Sequence, residues 1–212
     1  STATACDQGG KAAEEATIIA VGDSFLDWHS DEGLSIPDVV GEQLDMTTDN
    51  AAISGAMVLS TDDSAIPNQY REGVWSWVII NGGGNDITDR CACDDCTDVM
   101  DMLIAEDGSS GVLPELAEQA VTHGAQVVVV GYMNLPEEAQ ESPQCNDELV
   151  ELRARKAALA DGLPGATFVD ASQVMDGTDL ELYDTDNLHP SVLGSRAVGE
   201  LIAAAMGAQV SQ

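Results

Sequence analysis

Two rhythms of apolar and polar positions run along this chain. Residues 17–21, 74–81, 126–130 and 167–169 are short, nearly unbroken apolar runs rich in Val, Ile and aromatic side chains, and each stops at a glycine or a polar turn. Runs of that length and make-up predict strands buried on both faces. Residues 47–52 form a weaker run of the same kind. Between these runs the spacing becomes helical. Ile36, Val39, Val40 and Leu44 share one face over residues 36–44, with Ser35 able to cap the segment and Pro37 suited to its first turn. Residues 112–123 read as a helix ended by Gly124. Residues 147–160 are amphipathic around Leu149, Leu152 and Leu159, and residues 191–206 close the chain as a last helix. Apolar strands alternating with helices predict an α/β fold, a parallel sheet covered on both sides. Functional groups in such sheets gather at the carboxyl ends of the strands, here just after Val21, Ala52, Asn81, Val130 and Val169. Residues 1–16 are small and polar and read as a lead-in, which leaves 17–212 as a single domain.

Charge removes several function classes. The chain has 212 residues, 38 acidic and 7 basic, for a formal net charge of −31. Such a surface repels phosphate backbones and anionic lipid, so nucleic acid is not an expected partner. No apolar run approaches the ~18 residues of a membrane-spanning helix, so no membrane span is expected. The excess of Asp and Glu fits either an ordinary acidic protein or one kept hydrated in salt. The acidic stretches at Asp94, Asp95, Asp98 and Asp101, and from Asp176 to Asp186, lack the spacing of a calcium loop and read as solvated.

The five cysteines are Cys6, Cys91, Cys93, Cys96 and Cys145, an odd number that leaves at least one without a partner in the chain. A zinc or iron–sulfur site would want a second paired set after Cys91, Cys93 and Cys96, and only Cys145 follows. Disulfides are therefore expected, and with them a secreted or periplasmic location; a chain beginning at Ser1 fits a mature protein that has lost its leader. If the strands at 74–81 and 126–130 are parallel neighbours, the loops after them leave the same edge. Cys145 then reaches the cluster, with Cys91 or Cys96 as the favoured partner.

Residues with chemistry stand at the expected strand ends. Gly22-Asp23-Ser24-Phe25 follows the first strand and places a serine on a tight turn. A serine nucleophile needs a histidine base held by a carboxylate. Of the three histidines, His123 sits at a helix end, where it caps the dipole, and His29 lies on a loop with no carboxylate placed to fix its tautomer. His189 lies in Asp186-Asn187-Leu188-His189-Pro190, where a spacing of three lets Asp186 reach the ring; Asp184 is a less well-spaced competitor. Ser54-Gly55 and Gly82-Gly83-Gly84-Asn85-Asp86 offer backbone and amide donors for an oxyanion. No Lys-Ser/Thr pair follows the glycines, so they do not make a phosphate loop, and the dinucleotide fingerprint is absent.

These segments resemble the blocks of the SGNH (GDSL) hydrolase family: Gly22-Asp23-Ser24, the block around Gly55, Gly84-Asn85-Asp86, and Asp186-Asn187-Leu188-His189, in order across residues 22–189. Phe25 stands where the family more often has leucine. The resemblance implies a flavodoxin-like three-layer α/β/α sandwich with a five-stranded parallel sheet. It implies Ser24, His189 and Asp186 as a catalytic triad, and Ser24, Gly55 and Asn85 as the oxyanion hole. It also implies a serine ester hydrolase that works through an acyl-enzyme on a small-molecule, carbohydrate or lipid ester, with no cofactor or metal. The lack of any lid-sized insertion favours a short acyl or acetyl group. An acyltransferase or thioesterase on the same triad, or a non-catalytic ligand- or metal-binding module, are the alternatives.

Overall fold

A computed structural model describes residues 17–139 and 145–210. Five strands, β1 (Ile18–Val21), β2 (Thr48–Asn50), β3 (Trp77–Ile80), β4 (Gln126–Gly131) and β5 (Ala166–Asp170), form one sheet in the order β2-β1-β3-β4-β5. Every pairing is parallel, with Ile18 opposite both Thr48 and Trp77, Trp77 opposite Gln126, and Val127 opposite Ala166. All of β1 and β3 is buried, as is β4 beyond Gln126. That is why these strands are apolar without alternation: each has a helical layer on both sides.

Among the described residues, eight α-helices connect and cover the strands: α1 (Ser24–Asp27), α2 (Ile36–Leu44), α3 (Ile66–Gln69), α4 (Gly84–Cys91), α5 (Thr97–Leu103), α6 (Val112–Thr122), α7 (Asn146–Gly162) and α8 (Val192–Val210). The start of α2 is a capping box. Ser35 accepts from the Asp38 backbone while the Asp38 carboxylate accepts from the Ser35 N–H at 3.0 Å. The buried face of α2 packs on α8. The two approach so closely that a Cβ at Gly199 would lie 2.6 Å from Val39 Cβ. Among the described residues, no helix is long and apolar enough to cross a membrane.

The strand expected over 74–81 begins only at Trp77, because Val74 is turned out to solvent. The cysteine pairing also differs from expectation. Cys93, not Cys91 or Cys96, bonds Cys145, and Cys91 bonds Cys96. The reason is the tight turn after α4. Ala92, Cys93 and Asp95 all have positive φ, between 48° and 55°, which brings the Cys91 and Cys96 Cα atoms within 5.3 Å. The same turn buries Cys93 toward Cys145 at the head of α7. The four sulfurs are thereby committed to disulfides rather than to a metal. Cys6 and the lead-in 1–16 lie outside the described residues.

Strand order has a direct consequence for function. From β1 the chain runs outward to β2, then returns to the other side of β1 as β3. A crevice opens at such a reversal, above the carboxyl ends of the two central strands. Ser24 follows β1 and Asn85 follows β3.

Candidate active site

Asp23 ends the β1 turn and caps α1, its Oδ1 accepting from the Phe25 N–H at 3.0 Å. Ser24 thus becomes the first residue of a short helix, at the mouth of the crevice. Gln69 of α3 holds the turn from below. Its side chain accepts from Gly22 N at 2.7 Å and donates to Gly22 O at 2.9 Å.

The loop before α8 brings His189 to Ser24. Tyr183 bridges to Pro190, Asp184 N donates to His189 O at 2.8 Å, and Asn187 takes a left-handed φ of 54°. In this closed turn Asp186 Oδ1 accepts from the backbone N–H groups of Leu188 and His189, at 2.9 and 3.0 Å. Its other oxygen is 2.6 Å from His189 Nδ1, and His189 Nε2 is 2.8 Å from Ser24 Oγ. Burial opposes the charge on Asp186. The hydrogen bonds from the His189 ring and from the two backbone N–H groups outweigh it and hold the carboxyl below the usual range.

Asp184 does not compete for His189. It accepts from the Trp28 indole Nε1 at 2.8 Å, and the same indole lies flat on the His189 ring, centroids 3.8 Å apart and planes within 5°. His29 meets Trp28 edge-on, with Nδ1 2.9 Å from Glu32 and Nε2 3.6 Å from Asp184. His123 is occupied elsewhere, 2.9 Å from the Tyr70 hydroxyl.

Gly55 and Asn85 line the same cavity as Ser24 and His189. Gly55 has φ of +79°, a conformation that favours glycine. The neighbouring Ser54 is pinned to Asp27 of α1 by its N–H, at 3.0 Å, and its hydroxyl, at 2.6 Å. Asn85 donates from Nδ2 to Ala56 O at 2.9 Å. An amide nitrogen carries two hydrogens, so one remains to donate. Asp86, fully buried, accepts from Val58 N and Leu59 N, both at 2.8 Å, and so fastens the Gly55 loop to α4. Burial raises the Asp86 carboxyl above its ordinary pKa despite those bonds.

Three further residues around the site carry no sequence motif. Tyr132, just past β4, donates its hydroxyl to Asp23 Oδ2 and accepts from Gly84 N at 3.0 Å. It therefore ties the residue before Ser24 to the residue before Asn85. Lys156 of α7 lies wholly buried beneath, donating to Val130 O at 3.0 Å with its nitrogen 4.7 Å from the centre of the Tyr132 ring. Burial pushes Lys156 down to about 7 and pushes Asp23 and Tyr132 up. Trp28 is the third. A residue-by-residue reading does not find them because their partners lie more than 20 residues away in sequence. Among the described residues, no group of three His, Cys, Asp or Glu side chains is placed to hold a metal ion.

The fold and site have relatives. A family profile described as GDSL-like Lipase/Acylhydrolase matches residues 20–197. No curated protein matches the chain in sequence. Among solved structures, a protein named as an SGNH hydrolase from Slackia heliotrinireducens superposes with a TM-score of 0.66 at 21% identity, covering 91% of this chain and 100% of its own. A carbohydrate acetylesterase from Sinorhizobium meliloti gives 0.66 at 16% identity, covering 92% and 100%. A Geobacillus acetyl-xylooligosaccharide esterase variant gives 0.62 at 15% identity, covering 90% and 93%. At these identities the structural likeness speaks for the fold, and with the family match across most of the chain it identifies the protein as a member of the GDSL-like lipase/acylhydrolase family, the SGNH hydrolases.

Proposed function

We propose that this protein hydrolyses carboxylic esters with Ser24 as nucleophile. Ser24 Oγ attacks the ester carbonyl carbon as His189 Nε2 takes the hydroxyl proton. The oxyanion that forms is met by the backbone N–H groups of Ser24 and Gly55 and by the remaining hydrogen of Asn85 Nδ2. The tetrahedral intermediate collapses, the C–O bond to the alcohol breaks, and His189 returns its proton to the departing oxygen. An acyl group is left on Ser24. Water, deprotonated by His189, then attacks this acyl-enzyme by the same route and frees the acid. Asp186 keeps the imidazole in the tautomer that presents Nε2 to Ser24 and offsets the charge of the imidazolium.

The observation that carries this reading is the unbroken hydrogen-bond path from Asp186 through His189 to Ser24, opening into a cavity of about 390 Å³. Two disulfides suit an oxidising compartment, so we place the enzyme outside the reducing cytosol. The test is ester turnover by wild type and by Ser24→Ala, with circular dichroism to confirm folding. Turnover should fall ~10⁴-fold or more. Asn85→Ala should lower kcat by ~10²- to 10³-fold with little change in KM. A folded Ser24→Ala protein that keeps wild-type turnover would overturn the reading.

A further inference from the structure

Ser24 and Asn85 stand on neighbouring strands, and the sheet does not fix the distance between them. Its ladder ends where Asn81 N donates to Val21 O at 3.0 Å. Between that bond and Asn85 lie only Gly82, Gly83 and Gly84, the least restrained backbone a chain can offer. Asp86 and Asp27 fasten the Gly55 loop to α4 and to α1. The direct tie between the Ser24 turn and α4 is Tyr132. It follows β4, which lies beyond β3 from β1, so the side chain spans the end of β3 to reach Asp23.

A phenol has one hydrogen to give and lone pairs to accept with. Tyr132 gives its hydrogen to Asp23 Oδ2 and accepts the Gly84 N–H at 3.0 Å. That N–H belongs to the first turn of α4, and Gly83 before it has no side chain to cap the helix. Tyr132 supplies the cap from another strand. Asp23 carries the restraint onward, its other oxygen accepting from Phe25 N at 3.0 Å, with Ser24 between the two. The ring is held as well. Phe25 tilts against it at 55° with centroids 5.5 Å apart, and Lys156 Nζ lies 4.7 Å from its centre. A Cβ at Gly84 would come within 3.0 Å of Tyr132 Cζ and 3.1 Å of its oxygen, so α4 meets the ring without slack. Burial, and after it the Asp23 charge, keep the hydroxyl protonated, which preserves the direction of both bonds.

We propose that Tyr132 is a positioning residue for the reaction: by bridging Asp23 and Gly84 it sets the separation between Ser24 and the Asn85 amide. The inference rests on the ester-hydrolase reading above. The oxyanion exists only once Ser24 has added to the carbonyl, so donors held at the right separation act on the transition state and not on bound substrate. Tyr132 works through Asn85 and the Ser24 turn, without itself giving or taking a proton in the reaction.

The experiment is a double-mutant cycle on the hydrolysis of p-nitrophenyl acetate, with wild type, Tyr132→Phe, Asn85→Ala and the two changes combined. Ser24→Ala is one control. Tyr70→Phe is the other, since it too loses a hydroxyl hydrogen bond, to His123 at 2.9 Å. Tyr132→Phe should lower kcat by ~10- to 100-fold and leave KM within about twofold. Tyr70→Phe should leave both as in wild type. In the Asn85→Ala protein, adding Tyr132→Phe should cost less than about threefold, because the donor it places is gone. A loss that simply multiplies with that of Asn85→Ala marks general loosening of the fold and overturns the proposal. So do a wild-type kcat in Tyr132→Phe, a loss confined to KM, and an equal loss in Tyr70→Phe. If Tyr132→Phe does not fold, Gly84→Ala takes its place in the cycle with the same expectations, since its Cβ displaces the hydroxyl from a helix that tolerates alanine. Each of these failures leaves the Ser24-dependent esterase standing. Wild type that hydrolyses the ester no faster than Ser24→Ala overturns the ester-hydrolase reading and this inference with it.

Discussion

Trp28 touches His189 by its face and Asp184 by its edge, so one side chain sets the plane of the imidazole. Asp186 fixes one ring nitrogen and leaves the ring free to tilt about that bond; the indole removes that freedom. Trp28→Leu should therefore lower kcat by roughly ten- to a hundredfold, the scale of a modest misplacement of a reacting group. Trp28→Phe, which can still stack, should lose less. Steady-state kinetics on one ester checks the order. Lys156 invites a different experiment. Its amine is held down to about 7 by burial, against an ordinary value near ~10.4 in the unfolded chain. Between those two values the unfolded chain binds a proton that the folded one does not, so stability should rise as pH increases from about 7 toward 10. Urea titrations at several pH values should show that rise in wild type and lose it in Lys156→Met.

Elements differ in how much a chain pattern reveals of them. β1, β3 and β4 announce themselves because each is an apolar run stopped by a turn, and α2 because Ser35 and Pro37 mark its start. The candidate residues Ser24, Gly55, Asn85, Asp186 and His189 are legible as candidates because each sits in a short local pattern after a strand or before a helix. α4 and α5 escape that logic. Each is about two turns long, polar on its exposed face, and the two are joined through a left-handed turn whose residues are not glycine. Which cysteine meets Cys145 depends on the handedness of that turn, and spacing alone does not encode it. The two bridges should differ in weight. In the chain-entropy picture, a sequence separation of 52 between Cys93 and Cys145 corresponds to about 4 kcal/mol, and one of 5 between Cys91 and Cys96 to about 2 kcal/mol. Denaturant unfolding of paired Cys→Ser variants should show the Cys93–Cys145 loss to be the larger.

Across the whole molecule the charges segregate. Three of the seven basic residues, Arg153, Arg155 and Lys156, lie buried on α7. Arg153 holds the loop after β4 through the carbonyls of Tyr132 and Met133 and the side chain of Asn134. Arg155 grips Asp101 and the Ile104 carbonyl at the end of α5. The two arginines tie interior loops to α7, and with Lys156 buried too only four other basic residues stand in the sequence against 38 carboxylates. Sodium chloride should accordingly raise the melting temperature by screening repulsion among surface acids, while the interior bonds of α7 respond much less. Calorimetry at low and at ~1 M salt, where the Debye length is ~3 Å, reads that difference.

The burial of Lys156 also makes it a footprint of opening. An amine-reactive reagent cannot reach this nitrogen while α7 lies on the sheet, and it can when the helix lifts. Uptake of label on the peptide carrying Lys156, followed by mass spectrometry under native conditions, thus clocks the local detachment of one helix rather than global unfolding. Because α7 starts beside Cys145, comparing that clock before and after reduction measures how far a single covalent bridge restrains a helix that lines the candidate site through Leu149.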